Sequence, residues 1–244
     1  MGNGTLSPQL AEVLAAAVRA RKNIMVAGPT NAGKTTLLRA LANEIPPSER
    51  LITVEKALEL GLDEFEDLHP NVVAFEERLP NSEGQGAVRM AELVRRSLRQ
   101  NPSRVIVGEV LGDEIVTMLN AMSQGNDGSL STIHANSSLE VFNRIATYAI
   151  QAEERMPIHA THMLISGALT FVVFMRKRND WESGGTLTRY VESLREVTGF
   201  DGERVLSSEV FAPGRDGRAV PYAPLACFAE LEQHGLGLAT EAWS

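Results

Sequence analysis

The chain has 244 residues, 43% hydrophobic and 22% charged, with a formal net charge of −8. That is the composition of an ordinary globular protein, long enough for one large or two small domains. No apolar run nears the roughly 20 residues of a membrane-crossing helix, the single cysteine (Cys227) excludes an internal disulfide framework, and the acidic balance weighs against nucleic acid as main partner.

The first residues, Met-Gly-Asn-Gly-Thr, lack the basic and apolar regions of a signal peptide. With the lone cysteine, this places the expected location in a reducing cytoplasm. Ser7-Pro8 caps a predicted helix over 9–20, with Leu10, Val13, Leu14 and Val18 on one face. An apolar strand is predicted at 23–27 and a helix at 35–43, stopped by Pro46-Pro47. Strands follow at 51–54, ending in Glu55, and at 72–75. Between them, 59–67 is acidic and poorly periodic, and 80–86 reads as a polar loop. An amphipathic helix is predicted over 87–100, a strand over 104–108 followed by Glu109, and a helix over 113–124. A strand over 129–133 closes on His134, and helices are predicted at 138–152 and 158–169.

Alternating strands and helices with short connections predict an α/β fold with a mostly parallel, helix-covered sheet. From Thr170 the texture changes: an apolar run over 170–175, then antiparallel strands over 186–198 and 204–211, a Gly/Pro-rich stretch over 213–224 and a short helix near 225–233. The expected organisation is a core over 1–175 and a small antiparallel extension and tail over 176–244.

Gly28-Pro29-Thr30-Asn31-Ala32-Gly33-Lys34-Thr35-Thr36 fits G-x-x-x-x-G-K-[ST], the phosphate-binding P-loop. A Gly-rich turn would satisfy the pattern by chance in only about 1% of chains this long. Here it also lies between a strand and a helix, as its mechanism requires. Backbone N–H groups and the helix N-terminus face negative charge. Lys34 is expected to reach the β- and γ-phosphates of ATP, and the Thr35 hydroxyl to bind Mg²⁺.

Four further groups stand out, three of them just after strands. Glu55 and Glu59 are carboxylates placed to orient or deprotonate an attacking water, or else surface acids of an acidic protein. Glu109 ends an apolar strand where a Mg²⁺-binding acid is expected, with Thr35 as the other protein ligand. His134 is either a γ-phosphate sensor or a satisfied structural histidine. Arg78, Arg95, Arg96, Arg99 and Arg104 cluster around the preceding loop and helix; Arg78, in an irregular loop, is the best candidate for an arginine finger reaching a neighbouring subunit.

Together these stretches resemble the type II/IV secretion ATPase superfamily, and most closely the CpaF-type ATPases of Tad/Flp pilus assembly. Four ordered blocks carry the resemblance: residues 28–36 (Walker A), 52–59 (Asp box), 104–110 (Walker B) and 125–136 (His box). It implies a RecA-like P-loop ATPase in a hexameric ring at the inner face of the cytoplasmic membrane, driving pilin or protein export through a membrane platform protein. It also implies that Glu59 is the catalytic glutamate, Glu55 the first Asp-box acid, and His134 a functional histidine. Lys56, Leu111 and Asn126 depart from the usual pattern, and the family's N-terminal domain is expected to be absent from the chain. The departures leave open a catalytically weak nucleotide-binding subunit as the alternative. A RecA-like nucleic-acid motor is disfavoured by the charge and by the lack of a basic–aromatic stripe.

Overall fold

The computed structural model describes residues 4–180 and 185–237. Helix α1 (Pro8–Arg19) starts where Ser7 Oγ accepts the Leu10 N–H at 3.2 Å. This satisfies one of the helix's first unpaired donors. Strand β1 (Ile24–Ala27), helix α2 (Lys34–Ala42), β2 (Leu51–Glu55) and β3 (Val72–Glu76) follow, with one short 3₁₀ turn, Leu62–Glu64, in the acidic connection. Next come α3 (Met90–Ser97), β4 (Arg104–Val110), α4 (Glu114–Ser123), β5 (Leu130–Ile133), α5 (Glu140–Gln151) and α6 (Ile158–Ala168). Four strands close the fold: β6 (Phe171–Asp180), β7 (Thr186–Phe200), β8 (Val205–Pro213) and β9 (Ala219–Pro221). The short helix α7 (Phe228–Glu232) is the last element among the described residues.

The nine strands among the described residues form one sheet in the order β3-β2-β4-β5-β1-β6-β7-β8-β9. The first six are parallel to one another and the last three antiparallel. Strands β1, β2 and β5 are buried throughout, so they read as continuous apolar runs rather than alternating ones. Successive residues still point to opposite faces. Ile24 and Val26 join the core under α1, α2 and α7, whereas Met25 and Ala27 join the core under α3–α6. Parallel strands put all their C-terminal ends on one edge. The crossover at β1, with β5 on one side and β6 on the other, opens the crevice where such sheets bind ligands. Among the described residues no helix is long and apolar enough to cross a membrane.

The structure differs from the sequence expectation at several elements, among them β9, which lies in the stretch read as Gly/Pro-rich and polar. Helix α3 begins at Met90 rather than at residue 87. Arg78 and Val88 exchange both backbone hydrogen bonds (3.0 and 2.9 Å), and Gly84 and Gly86, at φ 76° and 78°, turn the chain between them. Those bonds tie residues 87–89 into a small hairpin that competes with the helix's first turn. The C-terminal strands are also longer than expected. β6 carries across position 175 and pairs with β1 on one side and β7 on the other.

Candidate functional site

The C-terminal ends of β1, β2, β4 and β5 surround a cleft of about 480 Å³, lined by residues 30–31, 33–36, 55–57, 59, 108–109, 111 and 134. The P-loop leaves β1 at Gly28, whose N–H donates to Ile133 O at 3.3 Å. A Cβ at Gly28 would lie 2.5 Å from the backbone oxygen of Met175 on β6, so glycine is required there. Asn31 (φ 61°) and Gly33 (φ 92°) take the left-handed conformation, the one that curls a short run of N–H groups inward. Ala32 N–H closes the turn on Pro29 O at 3.2 Å. Gly33 caps α2, whose free first-turn N–H groups face the cleft with the positive end of the helix dipole. Thr30 and Asn31 are exposed at the rim, with Pro29 half-buried before them and outside the lining; Thr35 is half-buried and Thr36 exposed.

Lys34 is buried, and its ammonium is held by three groups. Nζ lies 3.3 Å from Pro29 O, 3.2 Å from His134 Nδ1 and 3.6 Å from Glu109 Oε1. Burial lowers the Lys34 pKa, and the Glu109 charge offsets part of that. A lysine ammonium can only donate, so His134 Nδ1 accepts from it. The ring proton then sits on Nε2, which donates to Glu109 Oε1 at 3.1 Å. The 3.3 Å approach of Nδ1 to Gly28 O is not a hydrogen bond in this tautomer. Lys34, Glu109 and His134, from three separate blocks of sequence, thus form one connected unit. Glu109 lies inside the final turn-out of β4 rather than after it, at an irregularity between Val107 and Val110 in its pairing with β5.

Glu55 is 3% exposed. Its Oε2 accepts the N–H groups of Glu59 (2.9 Å) and Leu60 (3.0 Å), while the buried Oε1 has no protein partner. Burial raises its pKa, and the two backbone N–H bonds pull partly the other way. Gly108 makes room for this side chain: a Cβ there would lie 2.8 Å from Glu55 Cγ. Glu59 is exposed on the loop that Glu55 holds, and faces the same cleft.

The arginines separate. Arg78 is exposed in its hairpin, outside the cleft's lining. Arg95, Arg96 and Arg99 line a second cleft of about 780 Å³ on the outer face of α3, with Arg89, Glu92, Asp113, Glu153 and Glu154. That cleft is larger, but its four cations are matched by four acids and its lining has no glycine-turned N–H array, which only the smaller cleft of the two has. Arg104 cannot be a finger. It is fully buried and pairs both guanidinium faces with Glu49 (2.8 and 2.6 Å) and with Val18 O (2.7 Å). Sequence reasoning missed Arg189 on β7, which binds the P-loop residue Asn31 twice, at 2.9 Å each. Nothing near either residue in the sequence signals a contact between positions 158 residues apart.

The family model for type II/IV secretion system proteins matches residues 2–180, which carry the whole crevice. The chain belongs to the type II/IV secretion system protein family. This family member is similar to a protein named for conjugal transfer in Mycobacterium tuberculosis, with 40% identity over 158 residues (64% of this chain, 44% of the relative). It is also similar to the type IV secretion system protein PtlH of Bordetella pertussis, with 36% identity over 169 residues (68% and 49%). The crystal structure of the Brucella suis VirB11 ATPase, in complex with sulphate, superposes with a TM-score of 0.63 at 32% identity, covering 74% of this chain and 51% of that one. The pilus retraction motor PilT shares the fold, with a TM-score of 0.53 at 21% identity. This secretion-family chain spans about half the length, or less, of the relatives it matches.

Proposed function

We propose that this chain is the ATP-hydrolysing part of a type II/IV secretion or pilus-assembly motor of the CpaF type. The observation that carries the reading is the Lys34–Glu109–His134 unit set against a P-loop whose N–H groups open into the same cleft. The triphosphate of ATP displaces the protein partners of Lys34 and takes the P-loop N–H groups and the α2 N-terminus as its cradle. Once Lys34 turns to phosphate, Glu109 loses its cation and His134 its donor, so both side chains report the state of the γ-phosphate.

Thr35 Oγ1 and Glu109 fit Mg²⁺: both are hard oxygen donors at the phosphate end of the cleft. Among the described residues no group of three or more His, Cys, Asp or Glu could hold a metal by itself. That suits an ion completed by phosphate oxygens and water. When bound, Mg²⁺ supplies charge neutralisation of the β- and γ-phosphates. Glu59 is the carboxylate assigned to the attacking water, and Glu55 fixes the Glu59 loop through its two N–H bonds.

We further propose that copies of the chain work as a cytoplasmic ring against an inner-membrane platform protein. In such a ring Arg78, free of its own cleft, faces a neighbour's nucleotide. In this reading the core spans 1–175 and carries 176–244 as an extension; residues 1–3, 181–184 and 238–244 of these segments lie outside the described residues. Nucleic acid is not an expected partner. A second reading, nucleotide binding with little turnover, is favoured by Leu111, a 39% exposed apolar side chain in the cleft wall.

The test is Mg²⁺-dependent ATP turnover per chain across a wide protein concentration range. Specific activity should rise with concentration, and Lys34→Ala should abolish nucleotide binding. Binding with flat background turnover selects the second reading, and unchanged activity in Lys34→Ala would overturn both.

A further inference from the structure

We propose that Arg189 is a positioning residue of the phosphate loop, delivered by the antiparallel part of the sheet; this rests on the P-loop reading above. Arg189 lies outside the residues that match the family model, 2–180. Its Nε donates to Asn31 O and its Nη2 to Asn31 Oδ1, both at 2.9 Å. The planar guanidinium fork thus holds the main chain and the side chain of one residue at once.

That residue is where the loop needs holding. Asn31 sits at φ 61°, a conformation a non-glycine residue adopts at a cost. Asparagine tolerates it better than most, and two hydrogen bonds at the apex offset what remains. The stem of Arg189 supports the next turn: a Cβ at Gly33 would lie 3.3 Å from Arg189 Cδ and 3.5 Å from Met175 Cε. At the loop's other end, the Met175 backbone oxygen sits against Gly28.

Three successive loop features, Gly28, Asn31 and Gly33, are therefore braced by β6 and β7. These strands add no lining residue to the cleft, yet they set the loop's shape. A preformed loop binds phosphate without first paying the entropy of ordering four or five residues. Whatever moves the β6–β7 pair then also changes nucleotide affinity.

The experiment is Arg189→Ala in the full chain, read in two ways. The first is amide hydrogen exchange without nucleotide. Exchange at residues 30–33 should speed up about tenfold or more, with α1 and β8 unchanged. The second is ADP affinity, expected to weaken about tenfold for lost charge-assisted bonds, with the melting temperature nearly constant. Arg189→Lys keeps the charge but lacks the fork, so it should not restore affinity.

Asn31→Gly suits φ 61° and removes Oδ1; in that background Arg189→Ala should cost less than it does alone. Unchanged exchange at 30–33, or strictly additive effects of the two substitutions, overturns the proposal. If the wild-type chain binds no ADP, the P-loop reading fails, while the exchange experiment still decides whether Arg189 braces the loop. If Arg189→Ala does not fold, Asn31→Gly by itself breaks the side-chain half of the contact and must raise exchange at the same amides.

Discussion

Removing Glu49 should cost this protein more than removing the arginine it pairs with. Arg104 is 0% exposed, and Glu49 accepts two of its N–H groups at 2.8 and 2.6 Å. Arg21 adds a third bond to Glu49, at 2.6 Å. In Glu49→Ala the buried guanidinium keeps only Val18 O at 2.7 Å and a distant Gly128 O at 3.5 Å. An uncompensated buried charge of this kind costs about 3–5 kcal/mol. That is a large share of the roughly 5–15 kcal/mol that holds a domain together. It corresponds to a drop in melting temperature of about 6–20 °C for a chain of this size. By contrast, the exposed Glu92–Arg96 pair is worth about 0.3–0.5 kcal/mol.

Arg104→Met leaves Glu49 partly hydrated and still paired with Arg21, so it should cost clearly less, and the double variant should recover part of the Glu49→Ala loss. Urea denaturation at pH 7 measures all three. The pH dependence has a definite sign. Burial alone would raise the Glu49 pKa, but the Arg104 and Arg21 hydrogen bonds and charges outweigh it and hold the carboxyl low. A depressed folded-state value means the contribution is present above the ordinary glutamate pKa of about 4.3 and is lost as pH falls through the folded value. A loss below about 1 kcal/mol in Glu49→Ala, or a larger loss in Arg104→Met, would refute this account.

Two other perturbations test the site's framework. Gly28→Ala drives a Cβ to 2.5 Å from a backbone oxygen in mid-sheet, whereas Gly108→Ala meets the Glu55 side chain at 2.8 Å, which can move. Thermal melts should show Gly108→Ala costing about 1–3 kcal/mol and Gly28→Ala more; equal costs would mean that β6 yields as readily as a side chain. Glu55 has the opposite sign to Glu49. Burial raises its folded pKa, so its contribution is fully present below the ordinary carboxylate range and is lost as pH rises through the folded value. Glu55→Gln should therefore gain about 1 kcal/mol over wild type at pH 8 and little at pH 4, and a pH-independent difference between the two would count against the burial argument.

Much of this crevice is legible in the sequence because its residues follow local rules. The P-loop is contiguous, and the apolar runs around Met25, Ile52, Ile106 and Leu130 mark buried parallel strands whatever surrounds them. What escapes is what depends on a distant partner. Residues 87–89 have helical spacing, but Val88 is claimed by Arg78 across a glycine turn. Arg104 looks like one more surface cation of an arginine-rich stretch until Glu49 and Val18 O enclose it. Arg189 sits in a strand with no motif at all, and only the β6–β7 pairing places it over Asn31. The Lys34–His134 contact lies between these cases: each residue stands out in its own block, but their meeting is set by the pairing of β1 with β5.

The position of β1 also sets a clock on biosynthesis. One neighbour of Ile24 is Leu130, and the other is Phe171, roughly 150 residues later. At about 5–20 residues per second, a nascent chain leaves β1 without that second neighbour for on the order of ten seconds or more. Through most of that interval Ile24–Ala27 have neither neighbour, since β5 is itself about 100 residues away; once β5 has joined they form an open sheet edge, and the glycine turn beside them still lacks the strand that shapes it. A ribosome-bound chain stalled before β6 should therefore behave as client material for chaperones rather than as a nucleotide-binding protein, and nucleotide should protect the chain from proteolysis only once β6 and β7 have emerged.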